Sequence, residues 1–133
     1  MSARTAEDVH HLFTEFLLAG DLDGLVSLYE ADAVMVMVPQ PGPVVRGHAA
    51  IREGLSELLA FRPQFELRIL KTLEIEDIAI LYARWNFVGT DPDGNAVRMT
   101  GLTSDVVRRQ PDGSWLLIID NPVGGEGILA GLE

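Results

Sequence analysis

The chain has 133 residues, of which 47% are hydrophobic and 23% charged; this predicts one globular domain over residues 1–133 with a sizeable core. Twenty acidic against ten basic residues leave a net charge of −10, which excludes nucleic acid and anionic membrane as expected partners, because both are held by basic patches. The lack of cysteine excludes disulfides, thiolate nucleophiles and cysteine-held metal.

The opening "MSARTAEDVH" has acids where a secretory leader needs an apolar stretch, and no apolar run approaches the ~20 residues of a membrane helix. A cytoplasmic location is therefore expected. Residues 5–19 predict the first helix: Val9, Leu12, Phe13, Phe16 and Leu17 recur at i, i+3, i+4, i+7 and i+8 as one apolar stripe. Thr5 caps it with Asp8 three residues on, and Gly20 ends it. Asp21 then caps a short second helix with Leu22, Leu25, Val26 and Tyr29 on one face. "DAVMVMV" (32–38) reads as a strand apolar on both faces, and the three prolines of "PQPGP" (39–43) require a loop. A third helix runs from His48 to Ala60, its core face formed by Ile51, Leu55, Leu58 and Leu59.

The second half is strands. Phe65, Leu67, Ile69, Leu73 and Ile75 alternate with mostly polar residues. "EIED" turns the chain into a strand over 78–90, and "DPDGN" turns it again. Residues 96–109 and 114–122 form the last two strands, joined around "QPDG". The glycine-rich tail "GGEGILAGLE" offers Ile128 and Leu129 for docking. Helices first and antiparallel strands after predict an α+β fold, three helices on one face of a strongly curved, mostly antiparallel sheet. Such a sheet leaves a cone-shaped hollow beneath its helices.

Two acids sit where strands border apolar runs, Asp105 and Asp120. Burying an ionised carboxylate costs several kcal/mol unless it is paired, hydrogen-bonded or neutralised. Whether they share a face depends on the turn between them. A four-residue loop, Gln110 to Gly113, pairs Asp105 with Ile118 and leaves Asp120 a diagonal neighbour roughly 7 Å away. A two-residue Asp-Gly turn sets the acids opposite each other, while a three-residue loop with a glycine bulge sends them to opposite faces. The histidines His10, His11 and His48 are scattered, no glycine-rich phosphate loop or Ser/His/Asp spacing is present, and neither a metal nor a cofactor is expected.

The stretch "AGDLDGLVSLYEADAVMVMV…RGHAAIRE" (19–53) resembles the ketosteroid isomerase and SnoaL-like polyketide cyclase group of the nuclear-transport-factor-2-like superfamily. The element order resembles that group over nearly the whole chain. The resemblance implies an α+β cone with an apolar pocket and favours a pocket-facing Asp105–Asp120 pair. In the isomerases a strand Asp moves the proton, while a Tyr and a protonated Asp donate hydrogen bonds to the oxyanion. The Tyr position falls here on Phe13 and the base on Met37 (or Val38, given a one-residue insertion); the oxyanion-side acid remains as Asp105. Steroid isomerisation by that mechanism is therefore not expected. The superfamily's epoxide hydrolases use an Asp–Arg–Asp cluster. Asp105 has Thr103 and Val107 as same-face strand neighbours, so an arginine would have to come from Arg84, if that position faces inward.

Alternation and resemblance together turn Ala83, Trp85 and Phe87 inward. The expected lining is Phe13, Met35, Met37, Trp85, Phe87, Met99 and Ile118, with Asp105 and Asp120 as acid and base. The expected ligand is a small apolar molecule, and the expected assembly is a homodimer through the outer face of the sheet. The expected chemistry is isomerase, cyclase or hydratase in type; a non-catalytic ligand carrier or assembly domain is the alternative.

Overall fold

The structure is a computed structural model that describes residues 2–39 and 42–126. Thr5 and Asp8 start the first helix by exchanging hydrogen bonds, each side chain accepting from the other's backbone N–H at 3.2 Å. This helix, α1 (Ala6–Ala19), ends at Gly20, which takes the left-handed φ of 70° that a glycine adopts without strain. Asp21 caps α2 (Leu22–Ser27) through Gly24 N–H at 2.9 Å. The apolar face of α1 and the core faces of α2 and α3 (His48–Leu59) meet in one core with Leu25, Val26, Ile51 and Leu55.

Strand β1 (Tyr29–Val36) starts three residues before the predicted Asp32. Tyr29 is its first residue rather than part of the second helical face, because Leu28 O accepts from Leu117 N–H at 2.7 Å and pulls the chain onto the sheet. The short β2 (Val44–Arg46), inside the stretch left unassigned before the third helix, pairs antiparallel with β1. Three residues are too few to show a period. Then follow β3 (Gln64–Ile75), β4 (Ile78–Thr90), β5 (Ala96–Leu102), β6 (Asp105–Arg109) and β7 (Trp115–Asp120). The sheet order is β2-β1-β7-β6-β4-β3, with β5 also on β4; β1 and β7 run parallel and the other pairs antiparallel.

The predicted strand 96–109 is one run along β4 in constant register, from Thr90↔Ala96 to Ile78↔Arg108. It is interrupted at Thr103 and Ser104. There Thr103 Oγ1 accepts from Ala83 N–H and donates to Leu81 O, taking the place of a ladder bond. A bulge at Leu70 breaks the β3–β4 register between Ile69 and Lys71. Bends of this kind curve the sheet around its helices.

The β6–β7 hairpin decides where the two acids point. Gln110 pairs with Ser114 across a three-residue loop, Pro111-Asp112-Gly113, with Gly113 at φ 86°. The four-residue register is therefore corrected: Arg109 faces Trp115 and Val107 faces Leu117. By strict alternation this turn would put Asp105 and Asp120 on opposite faces. A second irregularity reverses that outcome. Val106 pairs with Ile119, so Ile118 is an extra residue on β7. Leu117 and Asp120 both turn inward, and Ile119 turns out.

The outer face carries an apolar row across five strands, paired step by step as Val34↔Ile119↔Val106↔Ile80↔Leu73. Ile119 and Leu73 are exposed. No described helix is long and apolar enough to cross a membrane. The docking residues expected in the tail, Ile128 and Leu129, lie outside the described residues.

Candidate active site

A cavity of about 70 Å³ opens between α1, α3 and the inner face of the sheet. Its walls include Phe13 and Leu17 from α1, Met35 and Met37 at the end of β1, Leu55 and Leu58 from α3, Phe65 and Leu67 from β3, and Trp85 and Phe87 from β4. Phe65 stacks on Trp85 at 6.2 Å and meets Phe13 at 6.0 Å. Trp85 is fixed by its indole N–H, which donates to Pro122 O at 2.7 Å. Gly101 makes that link possible: a Cβ there would lie 2.7 Å from both Pro122 O and the Trp85 ring.

The polar end holds Asp105 and Asp120, both buried, with Thr103 and His10 beside them. Asp105 lies at the hairpin's open end, one step beyond the Val106↔Ile119 pair and across from Asp120. Asp105 Oδ1 accepts from Asn121 N–H at 2.7 Å, and Oδ2 meets His10 Nε2 at 2.7 Å. Asp120 Oδ2 accepts from the Tyr29 hydroxyl at 2.5 Å. Two elements far apart in sequence, α1 and β1, thus each clamp one acid.

Burial, and then the charge of Asp105, push the Asp120 carboxyl well above the usual carboxylate range, outweighing the lowering effect of the Tyr29 hydrogen bond. Burial likewise pushes the Tyr29 phenol well above its ordinary value, with the charge of Asp120 adding to it. Two carboxyls this close do not ionise independently. Asp120 is the member whose carboxyl is raised, while Asp105 has the Asn121 N–H and His10 as its hydrogen-bond partners.

Phe13, Met35, Met37, Trp85 and Phe87 line the cavity together with Asp105 and Asp120. Two expected lining residues do not. Ile118 is the bulged residue and leaves the inward row. Met99 faces Phe87 across β4 and β5 but lines a separate depression with Pro39 and Phe61. Arg84 turns to the opposite face from Ala83 and Trp85 and pairs with Glu126 at 2.7 Å. Arg108 makes two bonds to Glu30, at 2.8 and 2.9 Å, rather than approaching Asp105.

His10 and Tyr29 were not anticipated. His10 shares its helix face with Phe13 and Leu17, at i, i+3 and i+7, and all three line the cavity. That spacing was the available signal. Tyr29 falls in phase with the inward residues Ala33 and Met35, but the caps around Asp21 drew it into the helix. No group of His, Asp and Glu suited to hold a metal ion occurs among the described residues.

The family model for the SnoaL-like domain matches residues 9–117, and the chain belongs to that family. No curated protein matches it. Among solved structures it is similar to a ketosteroid isomerase-like protein from Erwinia carotovora atroseptica, at 18% identity and a TM-score of 0.72 over 86% of this chain and 88% of that one. It is similar to a proposed dehydratase of the NTF2-like family from Streptomyces avermitilis, at 22% identity and a TM-score of 0.72 over 86% and 92%. A proposed calcium/calmodulin-dependent protein kinase type II association domain from Thiobacillus denitrificans matches at 21% identity and a TM-score of 0.74 over 92% and 98%. At these identities the likeness shows the fold.

The acid pair gives stability a pH dependence of known sign. Asp120 keeps its proton in the fold where the unfolded chain would lose it, so its contribution is complete below about pH 4. It is lost as pH rises through the raised value. Asp120→Asn removes this dependence. Thermal unfolding between pH 5 and pH 8 should show the wild-type midpoint falling more steeply than the variant's; equal slopes would contradict a shared proton.

Proposed function

We propose that this member of the SnoaL-like family is an acid–base enzyme of isomerase, cyclase or hydratase type that moves protons on a small, largely apolar molecule. One observation carries the reading: a buried carboxyl pair forms the polar end of an otherwise apolar cavity, where burial and the charge of Asp105 push the Asp120 carboxyl well above the usual carboxylate range. Asp105 accepts a proton from substrate carbon or water, and Asp120 donates a hydrogen bond or proton to the substrate's heteroatom. Apolar walls exclude water and strengthen both interactions. His10 and Tyr29 are positioning residues that orient the two carboxyls, His10 on Asp105 and the Tyr29 hydroxyl on Asp120.

The route differs from the isomerase pattern. Phe13 offers no hydroxyl and Met37 no base, so both roles rest on the hairpin acids. A carrier without activity would have little need for two desolvated carboxyls aimed into its ligand space. Met35 and Met37 give the cavity room to adapt to a ligand larger than its resting volume. Their thioethers lie against Gly54 of α3, where an added Cβ would come within 2.8 Å of each.

The reading extends to a homodimer. The apolar row Val34–Ile119–Val106–Ile80–Leu73 supports pairing through the outer sheet face, as does likeness to a fold named for association.

Two measurements test these readings. Deuterium exchange at the α-carbon of small carbonyl compounds and imines, from cyclopentanone to 2-methyl-1-pyrroline, should be accelerated by the wild type. Asp105→Asn should lower that rate by about 10²-fold or more; an unaccelerated panel, or unchanged exchange in the variant, would refute the catalytic role. Sedimentation equilibrium should give a dimer that Ile119→Lys dissociates, whereas a wild-type monomer would refute the assembly.

A further inference from the structure

The cavity's described lining brings two carboxyls and includes neither Lys nor Arg. Three arginines of β4 and β6 are engaged elsewhere: Arg84 with Glu126, Arg108 with Glu30 and Arg109 with Asp77. The groups facing the acid pair can be taken element by element. Helix α1 supplies His10, β1 supplies Tyr29, β6 and β7 supply the acids themselves, and α3, β3 and β4 supply apolar side chains.

His10 is the one group that could neutralise the site, and its bonding argues against it. His10 is 2% exposed, and its Nδ1 has no hydrogen-bond partner among the described residues. An imidazolium would bury an N–H there without an acceptor. The neutral ring with its proton on Nε2 satisfies Asp105 and buries only a lone pair, a smaller penalty. Tyr29 is a neutral donor. With a neutral His10 the two carboxyls have no cationic partner in the described lining of an apolar chamber.

The chamber's other walls suit a cation. Phe13, Phe65, Trp85 and Phe87 surround the space, and the stacked Phe65–Trp85 pair presents ring faces held in place by the Trp85–Pro122 bond. A desolvated cation is attracted to such faces. An anion would meet Asp105 with no positive partner. A neutral ligand would leave the carboxylate its hydrogen bonds from Asn121 and His10 but no counter-charge.

We infer that the cavity selects small apolar ammonium ions over neutral and anionic molecules of the same shape, so that the substrate carries a basic nitrogen. This rests on reading the acid pair as the ligand-facing end of the cavity. In that complex the ammonium N–H groups bond to Asp105 and the alkyl part fills the space between Phe13, Met35 and Trp85. The bound cation supplies the charge that the protein lacks there.

The test uses three probes of one size on the wild-type protein at pH 7: 2-methylpropan-1-amine, 2-methylpropan-1-ol and 2-methylpropanoate. Binding is followed by chemical-shift changes of the Trp85 indole N–H. The amine should bind at least tenfold more tightly than the alcohol, and the carboxylate should not bind. Asp120→Asn, which leaves Asp105 charged, should keep the preference, while Asp105→Asn should abolish it. Equal or tighter binding of the alcohol, binding of the carboxylate, or no binding by any probe would overturn the inference. An alcohol-first order with α-carbon exchange intact refutes this inference alone; loss of both binding and exchange refutes the acid–base reading as well.

Discussion

Two carboxyls face each other at the buried end of an apolar cavity, and much of the site follows from making that tolerable. Bringing them together ionised would cost several kcal/mol. The fold answers by raising the Asp120 carboxyl, which favours its neutral form, and by giving each acid its own donor. Asn121 N–H and His10 hold Asp105, and the Tyr29 hydroxyl holds Asp120. Because these donors come from α1, β1 and the end of β7, the acid pair ties the first helix and the first strand to the last hairpin. Loss of any one donor would leave a buried oxygen unpaired, which ordinarily costs about 1–3 kcal/mol.

The hairpin shows how narrowly such a site is set. The turn "QPDG" forms a three-residue loop, the register that separates the acids, and the extra residue Ile118 brings them back. Two local departures from regular pairing cancel. The inward row is therefore continuous across β6 and β7 at the acids but broken at Ile118 and Ile119, which face away. A bulge beside a functional group is a common way to re-aim a side chain.

Much of the fold was legible because its signals are local. The Thr5–Asp8 cap, the stripe Val9–Leu12–Phe16–Leu17 and the glycine at position 20 each act within a few residues, and the structure places each as read. The strand over 78–90 was bounded by turns and matches β4. The site was legible in part. Alternation and the resemblance together turn Trp85 and Phe87 inward, but the bulge at Ile118 lies in how β7 pairs with β6, which no local pattern reports. The partners of the acids lie 95 and 91 residues away in sequence, His10 and Tyr29. Phe13 draws attention as the missing hydroxyl of the isomerase pattern, yet a tyrosine reaches the acid pair from β1 instead.

The shared proton is the claim on which the proposed chemistry, the pH dependence and the charge preference all rest. It is tested most directly by the ¹³Cγ shifts of labelled aspartates followed from pH 4 to pH 9. One aspartate Cγ, assigned to Asp120 by its loss in Asp120→Asn, should keep the shift of a protonated acid at pH 7. If every aspartate Cγ has reached its carboxylate shift by pH 6, the pair does not hold a proton and the account fails.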